Sequence, residues 1–207
     1  LHSFDTKNVV NMSGMFQGCE KLEKLNITNF NTHNVVDMSN LFRGCNNLIE
    51  INLSSFNSTK GKNMSGMFYM CSNLIKLDLS NFDMKNAENM DEMFCYCDKL
   101  TNLILSSFLT INLKSMEKMF YNCTNLINLD LSNFNTENVE NMNKLFYGCI
   151  NIQHINISNF DMNKVNNSFQ MFYSCNNLKT IKINKNNIIL EKELKEAKIN
   201  PEIITNL

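Results

Sequence analysis

A phenylalanine returns every 26 residues, at Phe4, Phe30, Phe56, Phe82, Phe108, Phe134 and Phe160, with no insertion or deletion between copies. A second column keeps the same step through Cys19, Cys45, Cys71, Cys97, Cys123, Cys149 and Cys175, and a third through Phe16, Phe42, Phe68, Phe94, Phe120, Phe146 and Phe172. So strict a period leaves few architectures open. A unit that cannot bury its own apolar face stacks on its copies, each residue meeting its counterparts, and the product is a solenoid.

Two shorter periods alternate within each copy. Met64, Met67, Phe68 and Cys71 stand at i, i+3, i+4 and i+7, which predicts one face of a short helix with Asn63 or Ser65 as its cap. Leu77 and Leu79 then alternate with Lys76, Asp78 and Ser80, which predicts a strand with one face inward. Phe followed by Asp or Asn, as in Phe82-Asp83, marks a turn in which the short side chain bonds the backbone two residues on. Helices pack about 8 to 10 Å apart and paired strands about 4.8 Å. The stack is therefore expected to bend with its strands on the concave side, unless the short helices interleave closely enough to leave it nearly straight.

The strand half, L-x-x-L-x-L-S-x-F, is the leucine-rich-repeat strand, with Phe near the usual place of Asn or Cys. Joined to M-F-x-x-C, it makes residues 1–185 resemble the BspA-like leucine-rich-repeat surface proteins. The fold expected is an α/β leucine-rich-repeat solenoid of seven 26-residue units, a parallel β-sheet on one face and short helices on the other. The resemblance further implies display at a cell surface and attachment to host or neighbouring cells.

The register aligns Leu1, His2 and Ser3 with Ile27, Thr28 and Asn29, so the array is expected to start inside a strand, truncated at its N-terminus. After Ile183 the pattern fails, with Asn186 where the next Phe is due. Leu190, Leu194 and Ala197 give a helical stripe, and residues 186–207 are expected to form a C-terminal helical cap over the last repeat.

Composition and motifs exclude several functions. Charge is balanced, 19 basic against 20 acidic residues, with no Lys or Arg run before the tail, which speaks against nucleic acid. No apolar run approaches the roughly 20 residues of a membrane span, so direct membrane insertion is not expected. No Gly-rich phosphate loop, G-x-S-x-G or H-E-x-x-H occurs, so neither an enzyme nor a cofactor is expected. The eight cysteines lack a C-x-x-C, and the histidines at 2, 33 and 154 fall in unrelated slots, which argues against metal. Seven cysteines share the helical column, where a spacing of about 8 to 10 Å would exceed the roughly 7 Å that a disulfide tolerates. Cys95 faces away from Cys97, and all eight thiols are expected to be free and the column buried. The Met column led by Met12, Met38 and Met64 shares the face of Phe and Cys and reads as core.

Three surfaces remain as candidate sites. The outward strand slots are Lys24, Asn26, Glu50, Asn52, Lys76, Asp78, Asn102, Asn128, Asp130, His154, Asn156, Thr180 and Lys182. They vary while their inward neighbours do not, as on a binding sheet or on a solvated face under no constraint. An aromatic column, Tyr69, Tyr121, Tyr147 and Tyr173, is completed by Gln17, Arg43 and Cys95, and reads as a protein or glycan contact or as stacking along the flank. Ile104, Leu109 and Ile111 are apolar where the other copies are polar, a candidate patch for a partner or a second copy, or simple drift. The function expected is a non-enzymatic protein-binding or adhesion module, secreted or at the cell surface, whose partners are host or matrix proteins or glycans. A structural spacer or weakly self-associating array, and an intracellular scaffold suited to free thiols, stand beside it.

Overall fold

The computed structural model describes residues 4–184 and 187–206. Short strands stand where the leucine alternation places them in the later copies, Lys76–Asp78 (β1), Asn102–Ile104 (β2), Asn128–Asp130 (β3), His154–Ile157 (β4) and Thr180–Ile183 (β5), whereas the equivalent residues 24–26 and 50–52 form no strand. They pair in parallel with their counterparts 26 residues on, Leu77 with Leu103, Leu129 with Ile155 and Ile155 with Ile181. A helix, Ile188–Glu196 (α1), follows β5, and a last strand, Ile204–Asn206 (β6), pairs with β5 in parallel. The chain is a parallel β-solenoid of the leucine-rich-repeat kind. No described helix is long and apolar enough to cross a membrane.

The short helices expected opposite the sheet are not there. Among the described residues of the repeats, M-F-x-x-C lies in overlapping β-turns: the amides of Met15, Gln17 and Cys19 bond the carbonyls of Met12, Gly14 and Phe16. The intervening amides leave the copy altogether. Those of Met12, Gly14, Phe16 and Gly18 reach the carbonyls of Asp37, Ser39, Leu41 and Arg43 in the next copy, at 2.7–2.9 Å. Two residues per copy take the left-handed conformation that this requires, among them Gly14 and Gly18, Gly66 and Met70, Lys144 and Gly148. Side chains at i, i+3, i+4 and i+7 still point inward, so Met64, Met67, Phe68 and Cys71 are all buried, as a helix would have buried them. The inward pattern is shared, but the backbone is not helical.

Without helices on the far side, the expected bend loses its cause. The turn arm is held at the spacing of hydrogen-bonded chains, and the buried rings Phe42, Phe68, Phe94, Phe120, Phe146 and Phe172 stack with centroids 5.4–5.8 Å apart. Nor does helix spacing keep the thiols apart, since copies lie closer than packed helices. All eight thiols are free, and all but Cys19 are buried. Each column thiol from Cys45 onward donates instead to a phenylalanine carbonyl of the copy before, as Cys71 does to Phe42 at 3.2 Å and Cys149 to Phe120 at 3.0 Å.

The 39 asparagines are largely mortar. Asp or Asn in the turn after the strand-end Phe accepts from the amide two residues on, at Asn31, Asn57, Asp83, Asn135 and Asp161. Others reach the copy before, such as Asn86 to the carbonyl of Thr59 at 2.7 Å and Asn125 to that of Asp98 at 2.7 Å. Buried hydroxyls reach the other way, into the copy after, Thr32 donating to the carbonyl of Asn57 at 2.9 Å and Thr136 to that of Asp161 at 2.9 Å.

Helix α1 buries Leu190 and Leu194 in the same core as the repeats, and Asn187 accepts from the Leu190 amide at 3.2 Å. Its Glu193 carboxylate is buried and accepts from the Ser168 hydroxyl at 2.8 Å and the Met171 amide at 3.3 Å. The expected strand position of Leu1 to Ser3 and the break at Asn186 lie outside the described residues.

Burial sets a pH dependence. Desolvation pushes the thiol of Cys149 up to about 12, and those of Cys71, Cys97, Cys123 and Cys175 also rise for the same reason. In the unfolded chain a thiol ionises near 8.5, so above that pH the unfolded state sheds protons that the folded state keeps. Stability is therefore fully present below about pH 8.5 and falls as pH rises toward the folded values, by roughly 1.4 kcal/mol per pH unit for each such thiol. Urea unfolding at pH 8, 9 and 10 should show this decline, and Cys149→Ala should make it shallower by one thiol's share.

Candidate functional site

Leucines at two-residue spacing turn inward and leave their neighbours outward, which builds two rows across the strand face. Lys76 lies beside Asn102, Asn128 beside His154, and His154 beside Thr180 in one row; Asp78 lies beside Ile104, Asp130 beside Asn156, and Asn156 beside Lys182 in the other. Lys24, Asn26, Glu50 and Asn52 hold the equivalent positions in earlier copies and line a shallow groove of about 630 Å³. All are exposed except Asn156 and Thr180, which are half-buried. Lys24 and Glu50 form an exposed ion pair at 3.7 Å, and the His154 ring nitrogen lies 2.7 Å from the Thr180 hydroxyl.

The two rows are not equally available. In the second, Asn26, Asn52, Asp78, Asp130 and Asn156 each accept a hydrogen bond from the amide two residues on, which closes the turn after the strand. Hydrogen bonds from the side chain and amide of Ser80 hold the Asp78 carboxyl below its ordinary range. These residue types are thus explained by local geometry, and the first row, from Lys24 through Glu50, Lys76, Asn102 and Asn128 to His154, is the one that varies without that duty.

The tyrosines form a continuous ladder, but through a residue outside the expected column. Tyr96 stands between Tyr69 and Tyr121 at 6.0 and 5.4 Å, while Cys95, in the column position, is buried. Tyr121, Tyr147 and Tyr173 stack at 4.8 and 4.9 Å, and the Arg43 guanidinium lies 3.7 Å over Tyr69. Tyr121, Tyr147 and Tyr173 turn their faces to one another, whereas Tyr96 meets Tyr69 and Tyr121 at 69° and 59°. Gln17 is exposed at the far end.

Ile104, Leu109 and Ile111 are 39%, 49% and 45% exposed. A further apolar row, Ile49, Ile75 and Ile127, is exposed just before the strands and was hidden in the sequence as the variable x of L-x-x-L; its only signal was the recurrence of Ile one residue before an outward slot. On the opposite arm Asp91, Glu92, Glu117, Arg43 and Lys118 gather around a groove of about 350 Å³. There Lys118 meets Glu117 at 2.7 Å and Arg43 meets Glu92 at 3.6 Å.

The model of the family described as "Mycoplasma protein of unknown function, DUF285" matches residues 1–108 and again 99–197. A leucine-rich repeat protein from Bacteroides ovatus ATCC 8483, known from a crystal structure, is 20% identical over 84% of this chain, with a TM-score of 0.29. This chain covers 59% of the length of that protein. No curated protein matches the chain.

If the tyrosine ladder serves the stack, Tyr147→Ala, which removes a ring covered on both faces, should lower unfolding free energy by about 1 to 2 kcal/mol. Urea titration checks this, and unchanged stability would assign the ladder to binding instead.

Proposed function

The chain belongs to the DUF285 family, and from that premise we propose that it is a non-enzymatic protein-binding module whose partner lies on the strand face. One observation carries the reading: the inward positions repeat with little change, whereas the exposed row from Lys24 to His154 runs Lys, Glu, Lys, Asn, Asn, His with no turn to close. A repeat stack displays such a row at fixed spacing on a rigid backbone, which suits recognition of an extended protein surface. Among the described residues no side-chain arrangement suggests catalysis, and the grooves are shallow and open. The BspA-like character of the two half-motifs supports a finer proposal: display at a cell surface and adhesion to a host or matrix protein, with glycan as the alternative ligand class.

Purified chain should be tested against a panel of matrix proteins and a glycan array, and the best ligand then titrated with Lys76→Glu/Asn128→Arg/His154→Glu. The expected result is at least a tenfold loss of affinity with an unchanged melting temperature. Full affinity in that variant, with loss on changing Lys62 and Lys144 of the opposite arm, would overturn the assignment of the strand face.

A further inference from the structure

One junction in the stack lacks a backbone bond that the other described junctions make. At the entry to each strand an amide bonds the carbonyl of the copy before: Ile49 to Glu23 at 3.2 Å, Ile75 to Ile49 at 3.2 Å, Thr101 to Ile75 at 3.0 Å, Gln153 to Ile127 at 2.8 Å and Lys179 to Gln153 at 2.8 Å. Between Thr101 and Ile127 no such bond is made among the described residues, and β2 and β3 fall in separate sheets; residues 24–26 and 50–52 join no sheet either, but their junctions keep the entry bond.

The sequence of that copy supplies a cause. Three slots per copy normally hold Asp or Asn whose side chain caps a turn, as at Asp78, Asp83 and Asn89. In the next copy these are Ile104, Leu109 and Ser115. Isoleucine and leucine have no acceptor, so two caps on the strand side are lost. The third is replaced from the copy before, because the Asp91 carboxylate accepts from the Glu117 amide at 2.7 Å and from the Ser115 hydroxyl. Glu117 then accepts from Asn141 and Asn143 of the following copy at 3.0 and 3.1 Å. The arm opposite the strands thus carries side-chain bonds between copies at the level where the strand-entry bond is missing. Phe108 and Phe134 remain stacked at 5.6 Å, and Thr110 still donates to the carbonyl of Asn135 at 2.8 Å, which confines the looseness to the strands.

We infer that the strand face is divided by a seam between β2 and β3, which opens and closes about a pivot formed by Asp91, Ser115 and Glu117. The pair β1–β2 and the group β3–β6 are two panels rather than one rigid sheet. That a partner sets their relative position rests on the protein-binding role proposed above; the seam itself does not.

Amide hydrogen exchange of the free protein, followed residue by residue by NMR, tests the seam without any ligand. The amides of Ile127 and Asn128 are expected to exchange at least tenfold faster than those of Gln153 and His154. Ile104→Asp/Leu109→Asp, which restores the two acceptors, is expected to slow Ile127 and Asn128 severalfold while leaving Gln153 and His154 unchanged. Equal protection at the two junctions in the native chain would overturn the inference, as would a folded double variant in which Ile127 and Asn128 exchange as fast as before. Failure of the binding-face assignment would leave these rates untouched, so the two readings fail separately.

Discussion

The structure depends on backbone hydrogen bonds that leave one copy and end in the next, on both arms of the coil. On the turn arm the amides of alternate residues, such as Met38, Asn40, Phe42 and Gly44, all cross to the following copy. On the strand arm the bonds run both ways, Gln153 reaching back to Ile127 and Leu131 forward to Asn156. Nothing of this kind closes within a single unit, so a unit alone would leave its polar backbone groups unpaired as well as its apolar face bare. That is why the period tolerates no insertion: one extra residue would displace every donor downstream from its acceptor and every ring from its stack.

The period, the buried columns and the parallel strands were legible because each is a statement about which side chains face inward. The backbone of the turn arm was not. Residues 64, 67, 68 and 71 face inward both on a helix and on three overlapping turns, so an apolar pattern cannot separate the two. The distinguishing signal lay in the glycines: of the six in the chain, five occupy just two slots, Gly14 and Gly66 in one and Gly18, Gly44 and Gly148 in the other, all with positive φ. A helix has no use for glycine four residues apart at fixed positions, whereas a turn arm with two left-handed residues per copy does. Expecting free thiols from helix spacing reached the observed state by the wrong route.

The candidate surfaces were legible in position and less so in duty. Asn26, Asn52, Asp78, Asp130 and Asn156 are outward, as alternation requires, but their side chains are already engaged in closing turns. Only the bonded geometry shows that, because outward Asn on a strand and Asn capping a turn look the same in a sequence. Tyr96 was missed for a related reason. It sits one slot beyond its column, and its ring takes the stacking place that buried Cys95 leaves empty.

The copy containing Ile104 ties these strands together. In a repeat stack each local substitution is felt at one junction only, since a unit touches just its two neighbours. Replacing a turn-capping carboxylate by an apolar side chain therefore has two consequences at once: it exposes hydrocarbon at that level, and it withdraws a bond that held the turn. Ile104 and Leu109 show both together, with the unpaired edge of β2 beside them. The carboxylate of Asp91 compensates on the other arm, so the copy keeps its place in the stack while its strand, still paired with β1, is left unpaired toward β3. Looseness placed on the exposed sheet, and bracing placed behind it, is an arrangement that lets a stiff coil conform to what it meets without losing its register.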